Sequence, residues 1–163
     1  MIVLFFDGLC EPVNPGGVAC GGFVAYLDGA RLTAGSKCFG AGYLGDHTSN
    51  NVAEYLALIE GLKQLLALGY VSHCLAVKGD SQLVVKQLRG EYRVRSERLR
   101  PLYEEACRLL AHFPSYVVEW VPRELNAEAD ALSREAYRRF VQAHPEALSF
   151  YRKLRHSKPP KLR

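Results

Sequence analysis

Long hydrophobic runs are missing from this sequence. No apolar stretch approaches the ~20 residues a membrane-crossing helix needs, so no such span is expected. The opening Met1–Phe6 is apolar but short, is stopped by Asp7 and carries no basic residue, so it does not read as a secretory signal. Cysteine is sparse. Cys10, Cys20, Cys38, Cys74 and Cys107 are odd in number and show no CxxC spacing, which argues against a disulfide framework and against a zinc site. A reducing cytoplasm is the simplest expected compartment. Internal repeats are missing, and the only biased segment is a Lys/Pro-rich end. The body also lacks an excess of positive charge. The net +4 rests on Arg152, Lys153, Arg155, Lys158, Lys161 and Arg163, without which the chain is slightly acidic. Contact with a polyanion must therefore be local.

What is present reads as one globular domain. The chain has 163 residues, 48% of them hydrophobic, enough to bury a core without disulfides or a structural metal. Residues 2–6 form a continuous apolar run, as in a strand buried on both faces. A turn-rich stretch from Asp7 to Gly17 follows. Residues 18–27 and 31–39 read as strands around an Asp28-Gly29 hairpin turn. A helix is expected over 52–68, capped by Asn50 or Asn51 and ended by Gly69. A strand over 74–79 leads to a short helix from Ser81 to Leu88. A longer helix over 97–112 has Ser96 as its cap, a strand follows over 116–121, and a last helix over 127–142 is capped by Asn126. Strands first and βα crossovers after imply a mixed sheet with helices on its faces. Ligands of open sheets gather at the carboxyl ends of strands, where Asp7 and Asp80 are expected.

Four acids are candidates for chemistry. Helical spacing puts Glu54 in line with Ala57, Leu58, Gly61 and Leu65, away from Glu60, Lys63 and Gln64. A carboxylate on an apolar face needs a cation, a hydrogen-bond network or a proton. Each acid also has an ordinary explanation. Glu54 and Asp130 lie in first turns of helices, where the dipole favours acids. Asp7 can start a turn, and Asp80 can cap a helix. Together, at the ends of separate elements, they offer the oxygen ligands that Mg²⁺ and Mn²⁺ prefer. Two such ions can drive phosphodiester hydrolysis.

Four segments carry a family likeness: DGLCEPVNPGG (7–17), TSNNVAEYLALIEGL (48–62), GDSQLVVKQL (79–88) and WVPRELNAEADALSREA (120–136). In this order they resemble ribonuclease H type 1, over about residues 2–140. The resemblance implies a ribonuclease H-like fold, an α/β five-stranded mixed sheet with three antiparallel then two parallel strands and helices on both faces. It implies a catalytic domain over 1–142 and a basic C-terminal extension over 143–163. Asp7, Glu54, Asp80 and Asp130 match the metal-binding acids, with two Mg²⁺ ions expected and Mn²⁺ as a substitute. The implied reaction is endonucleolytic cleavage of the RNA strand of an RNA/DNA hybrid, leaving 5′-phosphate and 3′-hydroxyl ends, by a monomer without membrane contact. Cys10, Asn14, Asn50, Asn51 and Gln82 match positions that contact the duplex near its minor groove, and Ser49 matches one that holds a DNA phosphate. Helix capping by the Asn residues is an open alternative. So are cleavage of double-stranded RNA and a non-catalytic duplex-binding domain, although the latter usually lacks one of the acids.

The sequence also departs from the family pattern. Better-known members carry a loop histidine before the last helix; here residues 121–125 read VPREL, and Arg123 or Glu124 stands in the space. The basic protrusion of many bacterial members is replaced by a short connection rich in arginine: Arg89, Arg93, Arg95, Arg98 and Arg100. One extra residue separates Asp7 from Asn14. Beyond the family core, Phe150 and Tyr151 could anchor the extension while its basic end reaches duplex backbone; a solubilising tail is the alternative.

Overall fold

The computed structural model describes residues 1–157. Strands β1 (Ile2–Glu11), β2 (Val18–Leu27), β3 (Ala30–Ala41), β4 (Leu75–Gly79) and β5 (Tyr116–Trp120) form one sheet in the order β3-β2-β1-β4-β5. The pairs β1–β2 and β2–β3 are antiparallel, and β1–β4 and β4–β5 are parallel. Five helices complete the fold: α1 (Asn50–Ala67), α2 (Gln82–Leu88), α3 (Arg100–Leu110), α4 (Ala127–Ala143) and α5 (Pro145–Ser157). Single 3₁₀ turns lie at Gly42–Leu44 and Arg123–Asn126. This is the expected ribonuclease H-like sheet, with helices on both faces. The Asp28-Gly29 turn has positive φ at both residues, as a two-residue hairpin requires.

Burial explains the layering. Ile2, Leu4 and Phe6 of β1 are sealed against Leu58, Leu62 and Leu65 of α1, with Val77 and Leu110 closing the core. A smaller cluster of Leu9, Val18, Cys20, Ala41 and Ala136 takes in Ala147 and Tyr151 from α5. Successive strand residues point to opposite faces. A Cβ on Gly21 would meet Ala57 of α1, while one on Gly22 would meet the Ala129 carbonyl of α4 at 2.5 Å. The two helices therefore cover opposite faces of β2. On β1, a Cβ at Gly8 would lie 2.3 Å from the Glu54 backbone nitrogen. No side chain fits there, and α1 rests directly on the strand.

Several boundaries differ from expectation. Strand β1 does not stop at Phe6, because β2 pairs with it as far as Glu11–Val18. Only the β4 ladder ends there, at Phe6–Gly79. Neither Asn50 nor Asn51 caps α1: Ser49 is in extended conformation and its Oγ accepts from Val52 N–H at 3.1 Å. Helix α3 begins at Arg100 rather than 97, with Pro101 in its first turn, and Ser96 Oγ instead accepts the Leu99 N–H. Asn126 precedes α4 but makes no side-chain cap; its amide donates to the Phe6 carbonyl at 2.8 Å. The cysteine expectation is corrected for one pair. Cys20 and Cys38 face each other across β2 and β3 with Cα atoms 4.0 Å apart and are joined by a disulfide, while Cys10, Cys74 and Cys107 are free. Strand register brings the two together despite their 18-residue separation. Among the described residues, no helix is long and apolar enough to cross a membrane. Lys158, Lys161 and Arg163 of the basic extension lie outside the described residues.

The close approach at Gly8 has a measurable cost when disturbed. Gly8→Ala forces α1 away from β1 and is expected to lower stability by about 3 kcal/mol, the upper part of the usual overpacking range. Urea unfolding of the two proteins measures the difference, and equal midpoints would refute the contact.

Candidate active site

Asp7 is the first β1 residue beyond the end of the β4 ladder, and Asp80 directly follows β4. Both thus sit where the parallel part of the sheet ends. Glu54 reaches the same point from the first turns of α1. Each of the three offers a carboxylate oxygen, and these oxygens lie within 4.8 Å of one another. Asp7 is 6% exposed and Glu54 only 3%. The nearby Gly8 backbone N–H favours the charged form of Glu54, but less than burial disfavours it. Its Oε2, however, is buried without a partner among the described residues. Asp80 is not a helix cap, because Ser81 Oγ takes the Val84 N–H at 3.2 Å.

Electrostatics follow from this crowding. Burial, then the charge of Asp80 and the neighbouring Asp130, pushes the Asp7 carboxyl up to about 8. Burial also raises Glu54 well above the ordinary carboxylate range, with Asp7 and Asp80 adding to it. Three acids so placed need protons or a cation. Their all-oxygen donor set and the unpartnered Glu54 oxygen fit a hard divalent ion such as Mg²⁺ or Mn²⁺.

Asp130 lines the same cleft but stands outside the tight group of three. Its carboxylate receives Arg134 Nε at 3.2 and 3.1 Å, one helical turn further along α4. Arg134 also reaches Glu11 at 3.8 Å. Two side-chain bonds to backbone tie the surroundings together. Asn126, just before α4, holds the Phe6 carbonyl beside Asp7. Trp120 at the end of β5 donates its indole N–H to the Asp80 carbonyl at 3.1 Å.

The cleft measures about 370 Å³ and brings together the four acids, Cys10, Asn50 and Arg123 with Trp120 and Arg134. Cys10 is buried, donates to the Val13 carbonyl at 3.3 Å, and has its thiol pKa raised by burial, so it lines the wall as a neutral group. Asn14 sits on the exposed loop at the mouth, its Oδ1 accepting the Asn50 N–H at 2.9 Å. Ser49 lies beside it as the α1 cap. Asn51 is half-buried and does not line the cleft. Gln82 is exposed and lines an adjacent hollow with Lys86, Arg89 and Trp120. Arg89 and Arg100 of the arginine-rich connection are held by backbone carbonyls, whereas Arg93, Arg95 and Arg98 are exposed. Sequence reasoning missed Arg134, Trp120 and the Asn126 tether. Only Arg134 left a signal, its place four residues after Asp130 on a helix.

A family model described as "Reverse transcriptase-like" matches residues 20–136. The chain is 36% identical over 132 residues to Ribonuclease HI of Halobacterium salinarum, covering 81% of this chain and 62% of the relative. It is 40% identical over 124 residues to a bifunctional protein of Mycobacterium tuberculosis, covering 76% of this chain and 32% of that protein. The chain thus spans about a third of the mycobacterial relative. Its fold superposes on the crystal structure of the halobacterial RNase H1 with a TM-score of 0.74 over 83% of this chain and 96% of that one, at 36% identity. The N-terminal RNase H domain of the mycobacterial protein gives 0.77 at 35% identity, over 87% and 96%. An RNase H1 solved in complex with RNA/DNA hybrid gives 0.77 at 33% identity, over 86% and 99%.

Two outcomes follow from the site's charge. Asp7 binds its proton more tightly folded than unfolded, so metal-free stability is greatest below pH ~4 as far as this group is concerned and declines as pH rises towards about 8. Added Mg²⁺ removes the penalty. The rise in melting temperature caused by Mg²⁺ should therefore grow from pH 5 to pH 8, and a pH-independent rise would contradict the geometry. Arg134→Ala frees the Asp130 carboxylate and leaves the cleft more negative. Calorimetric titration without substrate should show Mg²⁺ binding several-fold tighter than in the parent protein; weaker binding would show that Arg134 does not compete for Asp130.

Proposed function

The chain belongs to the ribonuclease H type 1 family, and we propose that it is an endoribonuclease that hydrolyses the RNA strand of RNA/DNA hybrids, leaving 5′-phosphate and 3′-hydroxyl ends. The observation that carries this reading is the set of three carboxylates within 4.8 Å, two of them buried and one with an unpartnered oxygen. A buried acid cluster of this kind is costly unless it serves a cation. The names of the matching ribonucleases support the reaction, and the relative solved with RNA/DNA hybrid supports the substrate.

In this reading Asp7, Glu54, Asp80 and Asp130 would hold Mg²⁺, with Mn²⁺ as a substitute. Two such ions, when bound, would supply activation of water and neutralisation of the leaving oxygen's charge. The protein's own contribution is placement. Gly8 lets Glu54 approach Asp7, and Asn126 and Trp120 fix the backbone beside Asp7 and at Asp80. Cys10, Asn14, Asn50, Asn51 and Gln82 are assigned to the duplex groove, where amide groups offer donors and acceptors to base edges and 2′-hydroxyls. Ser49 is assigned to a phosphate of the uncut DNA strand; while capping α1 as an acceptor, its hydroxyl can still donate.

We also place the chain among short-loop members without the loop histidine. Its VPREL segment leads into the Arg123–Asn126 3₁₀ turn, and Arg123 lines the cleft. A guanidinium does not exchange protons near neutral pH, so Arg123 is assigned to attracting the scissile phosphate rather than to proton transfer. The proposed working unit is a monomer; the reducing cytoplasm expected from the cysteine pattern is at odds with the Cys20–Cys38 disulfide.

The test is direct. Purified protein is incubated with end-labelled RNA/DNA hybrid, double-stranded RNA and double-stranded DNA, with Mg²⁺, Mn²⁺ or EDTA, beside Asp80→Asn. The expected result is metal-dependent cutting of the hybrid's RNA strand, reduced at least a thousand-fold in the variant. Cutting of double-stranded RNA in preference to hybrid would reassign the substrate, and cutting of DNA duplex alone would overturn the reading.

A further inference from the structure

The chain past α4 is part of the folded body. After His144 it turns back, and α5 packs Ala147 and Tyr151 into the smaller core cluster. Tyr151 Oη donates to the Gly16 carbonyl at 2.7 Å and accepts from Tyr43 N–H at 3.2 Å. Tyr43 in turn donates to Glu146 at 3.1 Å, so both ends of the contact are pinned. The loop between β1 and β2 is thus gripped from two sides. Thr48 and Asn50, ahead of and within α1, bond to Gly17 and Asn14, and α5 bonds to Gly16.

That loop is a partition. Cys10 and Glu11 line the carboxylate cleft on one side. Pro12 and Val13 line a second groove, of about 590 Å³, whose opposite wall is Leu148, Tyr151, Arg152 and Arg155 of α5. The second groove is larger than the first and has a different chemistry. Its floor is apolar, and its rim holds two exposed guanidinium groups. Some exposed arginines, such as Arg31, Arg108 and Arg139, are engaged with acids on the body, whereas Arg93, Arg95, Arg98 and Arg138 form no ion pair among the described residues. Among the described residues, Arg152 and Arg155 form no ion pair. They lie three residues apart on one helix face, a spacing of roughly 5–6 Å between Cβ atoms that suits neighbouring phosphates of one strand. Sugar edges suit the proline, valine and leucine beneath.

We propose that this groove is a second nucleic-acid subsite, which holds the sugar–phosphate backbone of the hybrid where it continues past the β1–β2 loop from the carboxylate cleft. The occupant is a polyanion because both rim groups are permanent cations, and it is continuous with the substrate because one loop alone divides the two clefts. Guanidinium–phosphate pairs release counterions and place the duplex without reading its sequence. The subsite therefore adds affinity for long duplexes and leaves the bond-breaking step to the four acids. It rests on the hydrolase reading given above.

The experiment compares the full chain with the double variant Arg152→Ala/Arg155→Ala and with Lys153→Ala, which removes a charge from α5 outside the groove. Anisotropy titrations with EDTA use a short hybrid that covers only the carboxylate cleft and a longer one that extends past the loop, at several salt concentrations. The expected result is that the double variant binds the long hybrid roughly ten-fold more weakly. Its salt slope on that hybrid should be smaller by about 2, one for each guanidinium–phosphate pair removed. Lys153→Ala should keep the wild-type preference for length. Unchanged melting temperatures show that the fold survives in both variants, so that weaker binding reports on the groove itself. If the parent protein binds and cuts hybrid while the double variant keeps both affinity and salt slope, the groove is not a subsite and the hydrolase reading stands. If Lys153→Ala weakens binding as much as the double variant, the effect is diffuse charge and the groove assignment falls. If the parent protein neither binds nor cuts hybrid, both readings fall.

Discussion

Strand β1 and helix α1 touch at Gly8, where an added methyl group would lie 2.3 Å from the backbone nitrogen of Glu54. This approach brings a helix acid and a strand acid into one buried volume and leaves them little water. Asp80 arrives at the same place because it directly follows the end of β4. The result is a site whose ground state without cations is unfavourable. The raised pKa values of Asp7 and Glu54 are the proton's answer to that problem, and a divalent ion is the other. The rest of the architecture braces this arrangement. Asn126 and Trp120 use side-chain donors to fix backbone on either side of it, with bonds of about 3 Å to carbonyls.

The fourth acid is held differently. Asp130 is half-buried and already has a cation, Arg134, on its own helix. Such a pair near the surface contributes little to stability. Its interest lies in position, because the same guanidinium also faces Glu11 across the cleft. An internal positive charge at the rim limits the electrostatic cost of the metal-free state. It also leaves Asp130 outside the tight group of three.

Much of this was legible in the sequence, for reasons that differ by residue. The Asp28-Gly29 hairpin and the apolar face bearing Glu54 are local patterns, readable from spacing alone. The four acids gained meaning through the motifs around them. Other features depend on register and tertiary contact. Cys20 meets Cys38 only because two strands pair at that step. Asn126 looks like a helix cap until Phe6, 120 residues earlier, supplies its acceptor. Ser49 took the capping role expected of Asn50 or Asn51 because the helix began two residues before the apolar pattern did. The basic extension read equally as a tail, since its anchor is a tyrosine hydroxyl on a glycine carbonyl, a contact with no periodicity.

That last contact joins residue 151 to residue 16 and has a bearing on how the protein is made. Chains leave the ribosome N-terminus first. The loop carrying Asn14 therefore emerges well before its brace, Tyr151. A nascent chain that has already exposed Asp7, Glu54 and Asp80 still lacks Asp130, and one that has gained Asp130 still lacks Tyr151. The brace on that loop is thereby completed only after all four acids have emerged.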